Sequence, residues 1–108
     1  MIDSKSIATS FSALSHPARV DVLLKLMPYA ASGLTAGELA HSTKLAPSTL
    51  AHHLREMEQG GVIIRQADGR KTIVRPNLSS LSEIASLLTQ LCCSAEAFTP
   101  SNIGSKPC

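Results

Sequence analysis

The chain has 108 residues and a mass of 11.4 kDa, which suffices for one domain but not for two independent hydrophobic cores. Hydrophobic residues make up 44% of it, charged residues 17% and aromatic residues 3%. This composition excludes wholesale disorder and favours packed helices with a core of Leu, Ile, Val and Ala. The formal net charge is only +2, so any binding of nucleic acid must depend on where the basic groups lie.

The cysteines and the N-terminus indicate the cellular compartment. Cys92 and Cys93 are adjacent and Cys108 is the last residue, so the odd count does not resemble the disulfide framework of a small secreted domain. The N-terminus lacks the apolar run of a signal peptide, and no segment is long and apolar enough to predict a membrane span. We therefore expect a cytoplasmic protein with free thiols and no membrane partner.

Two helices are predicted in the first third of the chain. The spacing of Ile7, Phe11 and Leu14 predicts an amphipathic helix over roughly residues 4–14. A second helix is predicted to begin at Pro17, where the missing N–H of proline has no cost, and to end near residues 29–33. Its predicted apolar face consists of Val20, Leu23, Leu24 and Met27.

Two further helices follow in the middle of the chain. Thr35 and Glu38 form a capping-box pattern, which predicts a short third helix that ends near Ser42. A fourth helix is predicted over residues 48–59 and is stopped by the glycine pair at 60 and 61. Its apolar stripe, which we expect to be buried, is Leu50, Leu54 and Met57, and its opposite face holds Ser48, Ala51, His52 and Arg55.

A β-hairpin and a last helix complete the predicted domain. Residues 62–66 and 71–75 are β-branched runs on either side of Asp68-Gly69, a strong hairpin signal. From Ser79 or Ser80 the chain is predicted to be helical again, with a wide apolar stripe of Leu81, Ile84, Ala85, Leu88, Leu91 and Cys92. We expect the domain to span residues 1–97, followed by a flexible tail over residues 98–108 that carries Cys108.

The predicted fold class is mainly α with a two-stranded β-wing, that is, a winged helix-turn-helix. The small core cannot absorb the apolar stripes of both the first and the last helix. We therefore expect these two helices to pair across a two-fold axis in a homodimer. Such a dimer would place two recognition helices roughly 34 Å apart, the spacing of a palindromic operator in double-stranded DNA.

Four segments resemble the ArsR/SmtB family of small dimeric repressors that respond to metals and metalloids. They are LSHPARVDVLLKL from Leu14, TAGELA from Thr35, STLAHHLREMEQGGVI from Ser48 and the ADGRK hairpin tip, within a likeness that runs from about Phe11 to Leu91. The most specific piece is Leu50-Ala-His-His-Leu54 followed by Gly61-Val-Ile. The family usually has serine where this chain has Ala51, so a hydroxyl contact to DNA is not expected at that point.

The residues also favour DNA binding independently of the resemblance. Ser48, His52 and Arg55 share one helix face, and arginine pairs bidentately with guanine. Basic groups in the flanking turn and hairpin would contact phosphates. The candidate DNA-binding residues are Lys44, Ser48, Thr49, Ala51, His52, Arg55, Arg65, Arg70 and Lys71, with Arg75 as a further basic group of the wing. His53 is expected to be a packed, hydrogen-bonded histidine instead.

The inducer site is predicted at the C-terminal cysteines. The resemblance implies inducer sites on the third or last helix, but the third helix has no cysteine, and the last has no histidine and Glu83 as its one acidic residue. Cys92, Cys93 and Cys108 remain, and such soft thiol ligands select trivalent arsenic or antimony over hard cations. We therefore predict arsenite, methylarsenite or antimonite as the inducer.

Other functions stay open. A thiol redox or persulfide sensor would use the same cysteines, and its disulfide would more readily join Cys108 to one of the pair than join the two neighbours. A winged-helix module with no inducer is the other alternative. An enzyme is not expected, because the chain has no glycine-rich phosphate loop and no paired catalytic carboxylates. His16, His41 and His52 are isolated and are expected to be surface or cap residues.

Overall fold

The computed structural model describes residues 3–95 of the chain. In that range the helices are α1 (Ser4–Ala13), α2 (Pro17–Leu26), α3 (Ala36–Thr43), α4 (Pro47–Gln59) and α5 (Leu78–Ser94), and the strands are β1 (Leu34–Thr35), β2 (Ile63–Asp68) and β3 (Lys71–Pro76). A 3-10 turn over Met27–Tyr29 follows α2. None of these helices is long and apolar enough to span a lipid bilayer. The predicted tail and Cys108 lie outside the described residues.

Local capping chemistry sets where α1, α2 and α3 begin. Asp3 accepts a hydrogen bond from the N–H of Ser6 at 2.7 Å and starts α1. Nδ1 of His16 accepts from the N–H of Ala18 at 3.1 Å, which confirms this histidine as a cap residue with proline at the first helical position. The predicted capping box before α3 is present in full, with both the Thr35 and the Glu38 side chains accepting backbone N–H groups.

The wing is a three-stranded antiparallel sheet in the order β1-β3-β2. The hairpin is confirmed: Asp68 pairs with Lys71, and Gly69 takes the positive φ of +64° that the turn requires. The predicted two-stranded ribbon was incomplete, because Leu34 and Thr35 add a short outer strand paired with Val74 and Ile73. A strand of two residues has no periodic signal in the sequence, and only the tertiary pairing defines it.

The core lies between α2, α3, α4 and the sheet. Its fully buried members are Val22, Leu26, Leu39, Leu50, Leu54, Met57, Val62 and Val74. The predicted buried stripe of α4 is therefore confirmed. Because that stripe fills the core, the opposite face of α4 is left to solvent.

The predicted apolar face of α2 was wrong except for Leu23, which packs against the core. Val22 and Leu26 face the core, whereas the side chains of Val20, Leu24 and Met27 are 41%, 63% and 41% exposed. The helix carries apolar residues on opposite sides, and the side that packs against α3, α4 and β3 is the one that holds Val22 and Leu26. Periodicity cannot choose between two apolar stripes on one helix.

The first and last helices each leave large apolar side chains exposed. Phe11 of α1 is 46% exposed, and Leu88 and Leu91 of α5 are 44% and 56% exposed. None of the described side chains of α5 is buried, although Leu81 packs against the core. The helix begins at Leu78, slightly before the predicted start, because Asn77 accepts from the N–H of Ser80 and caps it. The predicted excess of apolar surface on these two helices is thus observed.

A buried histidine links α2 to α4. His53 is 6% exposed, and its Nδ1 accepts a hydrogen bond from Nε of Arg19 at 3.1 Å. The imidazole ring of His16 lies 4.6 Å from that of His53 between centroids, and that of His52 lies 5.7 Å away. Burial lowers the pKa of His53, and the nearby positive groups His16, Arg19 and His52 lower it further. The prediction of a packed, hydrogen-bonded histidine is confirmed.

This arrangement predicts that the protein loses stability in mild acid. The unfolded chain binds a proton at His53 near the ordinary pKa of 6.5, whereas the folded chain binds it only at lower pH. The contribution of His53 to the free energy of unfolding is therefore full above about pH 6.5 and declines as the pH falls below that value. Urea unfolding of wild type and His53→Gln between about pH 5 and 8 measures it, with a flatter profile expected for the variant.

The matched control is His41→Gln, which changes an exposed histidine of α3. Its pH profile should follow that of the wild type. A His53→Gln profile that also superimposes on the wild type would contradict the assignment of the acid sensitivity to His53.

Candidate nucleic-acid interface and cysteine site

The face of α4 that carries the predicted DNA-binding side chains, called the outward face below, is exposed to solvent. All five of its predicted DNA-binding side chains, Ser48, Thr49, Ala51, His52 and Arg55, are exposed. The buried side chains of α4 are Leu50, His53, Leu54 and Met57, so none of the five belongs to the core. Hydroxyl, imidazole and guanidinium groups together provide donors and acceptors for phosphates and base edges.

A cleft places this face beside the wing. The cleft has a volume of about 260 Å³ and is lined jointly by α3, the first half of α4 and the wing strands, including Ala51, Arg65 and Thr72. Of the five predicted side chains on α4, Ala51 lines this cleft, so the outward face adjoins the wing at the Ala51 edge. A duplex that entered this surface would meet the helix in one groove and the wing beside it.

Three of the predicted basic contacts are exposed around that surface. Lys44 lies in the turn between α3 and α4 with a left-handed φ of 61°, and Arg70 and Lys71 lie at the tip of the wing. Hydrogen bonds with Thr35 hold the pKa of Glu38 below its usual range, and the charge of Lys71 contributes. The nearby carboxylate thus offsets part of the Lys71 charge, whereas Arg70 is at the hairpin turn itself.

Two arginines of the wing are held by contacts within the protein. Nε and Nη2 of Arg65 both donate to Oε1 of Glu58, at 2.9 and 2.7 Å. Arg75 donates from Nε to the carbonyl of Ala31 at 3.1 Å and from Nη1 to Oε1 of Gln66. These contacts fix the wing against α4 and against the turn after α2. A role of Arg65 in DNA binding stays a prediction, and it would require competition with Glu58.

The cysteine pair lies at the C-terminal end of α5. Cys92 is an exposed free thiol, whereas Cys93 is partly buried and disulfide-bonded. Within residues 3–95 no three His, Cys, Asp or Glu side chains are grouped closely enough to hold a metal ion. A three-thiol site therefore requires Cys93 in its reduced form and a third ligand from elsewhere, for which Cys108 is the predicted candidate.

Sequence reasoning missed several side chains that position the interface. Arg19 and His16 contact His53. These contacts were missed because a pattern within one helix does not show which residues of another helix it meets. The ion pair of Glu58 and Arg65 could have been predicted, because these opposite charges lie seven positions apart on either side of the glycine turn. Asn77 could have been predicted too, because asparagine before an apolar helical run is a preferred N-cap.

Comparisons with known proteins agree with this geometry. A family model described as a helix-turn-helix domain matches residues 14–67, half of the chain. The HTH-type transcriptional regulator YgaV of Escherichia coli (strain K12) is 29% identical over 90 residues, which cover 83% of this chain and 89% of that protein.

Two solved structures share the fold. An ArsR-like transcriptional regulator from Rhodococcus sp. RHA1 superposes with a TM-score of 0.70 at 24% identity, covering 81% of this chain and 79% of the other. A homodimeric winged helix-turn-helix DNA-binding domain from Mycobacterium bovis gives a TM-score of 0.65 at 18% identity, with coverage of 81% and 78%. The chain therefore belongs to the helix-turn-helix domain family and has the winged helix-turn-helix fold of ArsR-like transcriptional regulators.

Proposed function

We propose that this protein is a transcriptional repressor that binds a palindromic operator as a homodimer and is released when a trivalent arsenical or antimonial binds its cysteine thiols. The observation that carries the DNA-binding part is the exposed face of α4 beside the basic wing tip. Its side chains are exposed, and Ala51 at its edge lines the cleft that the wing strands also line. A regulator of this kind acts in the cytoplasm, where DNA and reduced thiols occur together.

The dimer part rests on α1 and α5. Their exposed apolar side chains form a surface that water disfavours, and a second copy of the same chain offers a matching surface. One structural relative is described as homodimeric. Two copies of α4, held roughly 34 Å apart, then contact successive major grooves on one side of the duplex.

The effector part rests on the chemistry of Cys92 and Cys93. Arsenite, As(OH)3, exchanges its three hydroxides for three thiols and releases three water molecules, so no electrons are transferred. Two adjacent thiols suffice for methylarsenite, and Cys108 supplies the third for arsenite or antimonite. Because the pair ends α5, binding there distorts a helix of the dimer surface and changes the separation of the two α4 helices.

One observation favours a second candidate, thiol oxidation as the signal. Cys93 is disulfide-bonded in the structure while Cys92 is free. Two thiols and one molecule of hydrogen peroxide give one disulfide and two molecules of water, with the thiols oxidised and the peroxide reduced. Such a repressor would respond to oxidant without any metalloid.

Arg55 is expected to carry sequence discrimination, whereas Arg70 is expected to contact phosphate. Arg55→Ala should weaken binding to a duplex selected from a random pool by about 5- to 150-fold, with a smaller effect on unselected DNA. Arg70→Ala should weaken both similarly and lower the slope of log affinity against log salt by about one. Fluorescence anisotropy with labelled duplexes at several salt concentrations measures both effects.

Lys25→Ala is the matched control for these variants, because it removes one positive charge from an exposed site on α2. It should leave affinity and salt slope close to wild type. An Arg55→Ala protein with unchanged discrimination would contradict the proposed role of the outward face.

The dimer interface is expected to depend on the apolar stripe of α5. Leu88→Glu places a charge on that stripe and should convert the dimer to monomer at micromolar concentration, measured by sedimentation velocity. Gln90→Glu adds the same charge to an exposed position on the other side of the helix and should leave the dimer intact. A wild-type protein that sediments as a monomer would refute the dimer.

Arsenite is expected to release the reduced protein from its selected duplex. Coupling of this kind lowers DNA affinity by about 5- to 150-fold, and DNA must weaken arsenite binding by the same factor. The Cys92→Ser/Cys93→Ser double variant should bind DNA normally and ignore arsenite. Cys108→Ser should retain the response to methylarsenite and lose part of the response to arsenite.

Release of the protein from its selected duplex is also measured with hydrogen peroxide and with zinc. Release by peroxide alone would favour the oxidation sensor, and indifference to every thiol-reactive ligand would favour a winged-helix module without an inducer. Release of the Cys92→Ser/Cys93→Ser protein by arsenite would show that the proposed site is wrong.

A further inference from the structure

We infer that the glycine turn at positions 60 and 61 couples the dimer helices to the DNA-contacting helix, with Ser10 and Asn77 as the positioning residues. This turn ends α4 and leads into β2. A helix of the predicted dimer interface contacts each of its two carbonyl groups. The inference rests on the proposed function and identifies how a change at α1 or α5 reaches α4.

α1 packs directly against Gly60. A Cβ at this position would lie 2.2 Å from the Cβ of Ala13, so the close approach of α1 requires glycine. The hydroxyl of Ser10 donates a hydrogen bond to the carbonyl of Gly60 at 2.9 Å, and Ser10 is only 8% exposed. This hydrogen bond is sheltered from water, so its loss leaves a buried carbonyl without that donor.

Gly61 is the corresponding contact of α5. It has a φ of +77°, and its carbonyl accepts a hydrogen bond from Nδ2 of Asn77 at 3.0 Å. The same asparagine donates its backbone N–H to the carbonyl of Val62 at 3.0 Å and caps α5 through the N–H of Ser80. One side chain therefore both starts α5 and ties that start to the end of α4.

The turn is also continuous with the last turn of α4. The N–H groups of Gly60 and Val62 donate to the carbonyls of Glu56 and Met57, each at 3.0 Å. A movement of α1 or α5 that displaces the turn therefore acts directly on the hydrogen bonds that end α4. Besides the packing of Leu81 against the core, the contacts of Asn77 therefore constrain the direction in which α5 leaves the domain.

Two substitutions break these links while preserving the local helix. Ser10→Ala removes the donor to Gly60 and keeps a small side chain in the buried position. Asn77→Asp keeps an oxygen that caps α5 but replaces the amide donor that reaches Gly61. Ser15→Ala is the matched control, since its hydroxyl donates to the carbonyl of Ser12 at 2.7 Å at an exposed site away from the turn.

Hydrogen–deuterium exchange of the full chain, free and bound to a duplex selected by the wild type, tests the inference. In the wild type, DNA should slow exchange in α4 and also, by about fivefold or more, in the first turn of α5 and the last turn of α1. Ser10→Ala should lose the effect in α1, and Asn77→Asp should lose it in α5, while both keep the protection of α4. Ser15→Ala should behave as wild type.

The outcomes separate this inference from the proposed function. Protection of α1 and α5 that persists in both variants would overturn the coupling role of the turn and leave DNA binding intact. Failure of the selected duplex to protect α4 in the wild type would overturn the proposed interface, and the coupling inference with it. A merely structural role of Ser10 or Asn77 would alter exchange equally with and without DNA.

Discussion

The structure depends on the burial of one face of α4. Leu50, Leu54 and Met57 are 1%, 2% and 0% exposed, and replacement of one such side chain by alanine typically costs about 2–5 kcal/mol. The apolar stripe is therefore fixed by the stability of the domain. The opposite face is exposed, although the ring of His52 lies 5.7 Å from that of His53, and it is available to a partner outside the chain. The side of α4 that stabilises the domain is therefore not the side proposed for recognition.

Elements with a local chemical signal could be predicted from the sequence. The capping box of Thr35 and Glu38, the proline at the start of α2 and the Asp-Gly hairpin each depend on residues within a few positions of one another. Local physics alone is enough to define them. The candidate interface was predictable for the same reason, since the two faces of α4 differ in polarity along a single helix.

Features that depend on contacts between distant segments could not be predicted. The sequence of α2 contains two apolar sides, and only the positions of α3, α4 and β3 determine that Val22 and Leu26 face the core. The short strand β1 exists because β3 pairs with it. Arg65 looked like a free cation in the sequence, but it binds Glu58, so the count of basic residues overestimates the charge available to DNA.

The exposed stripe of α5 would make the stability of the proposed dimer part of the proposed mechanism. Leu88 and Leu91 are 44% and 56% exposed in the single chain, and burial of apolar surface contributes about 25 cal/mol per Å². Association that covers them stabilises the folded chain in a concentration-dependent way. Cys92 lies one position from Leu91, so in the proposed mechanism a ligand on that thiol would perturb the same surface. If both half-sites are held at one spacing, a change in dimer geometry would weaken two sets of DNA contacts at once, which the loss of a single side chain does not.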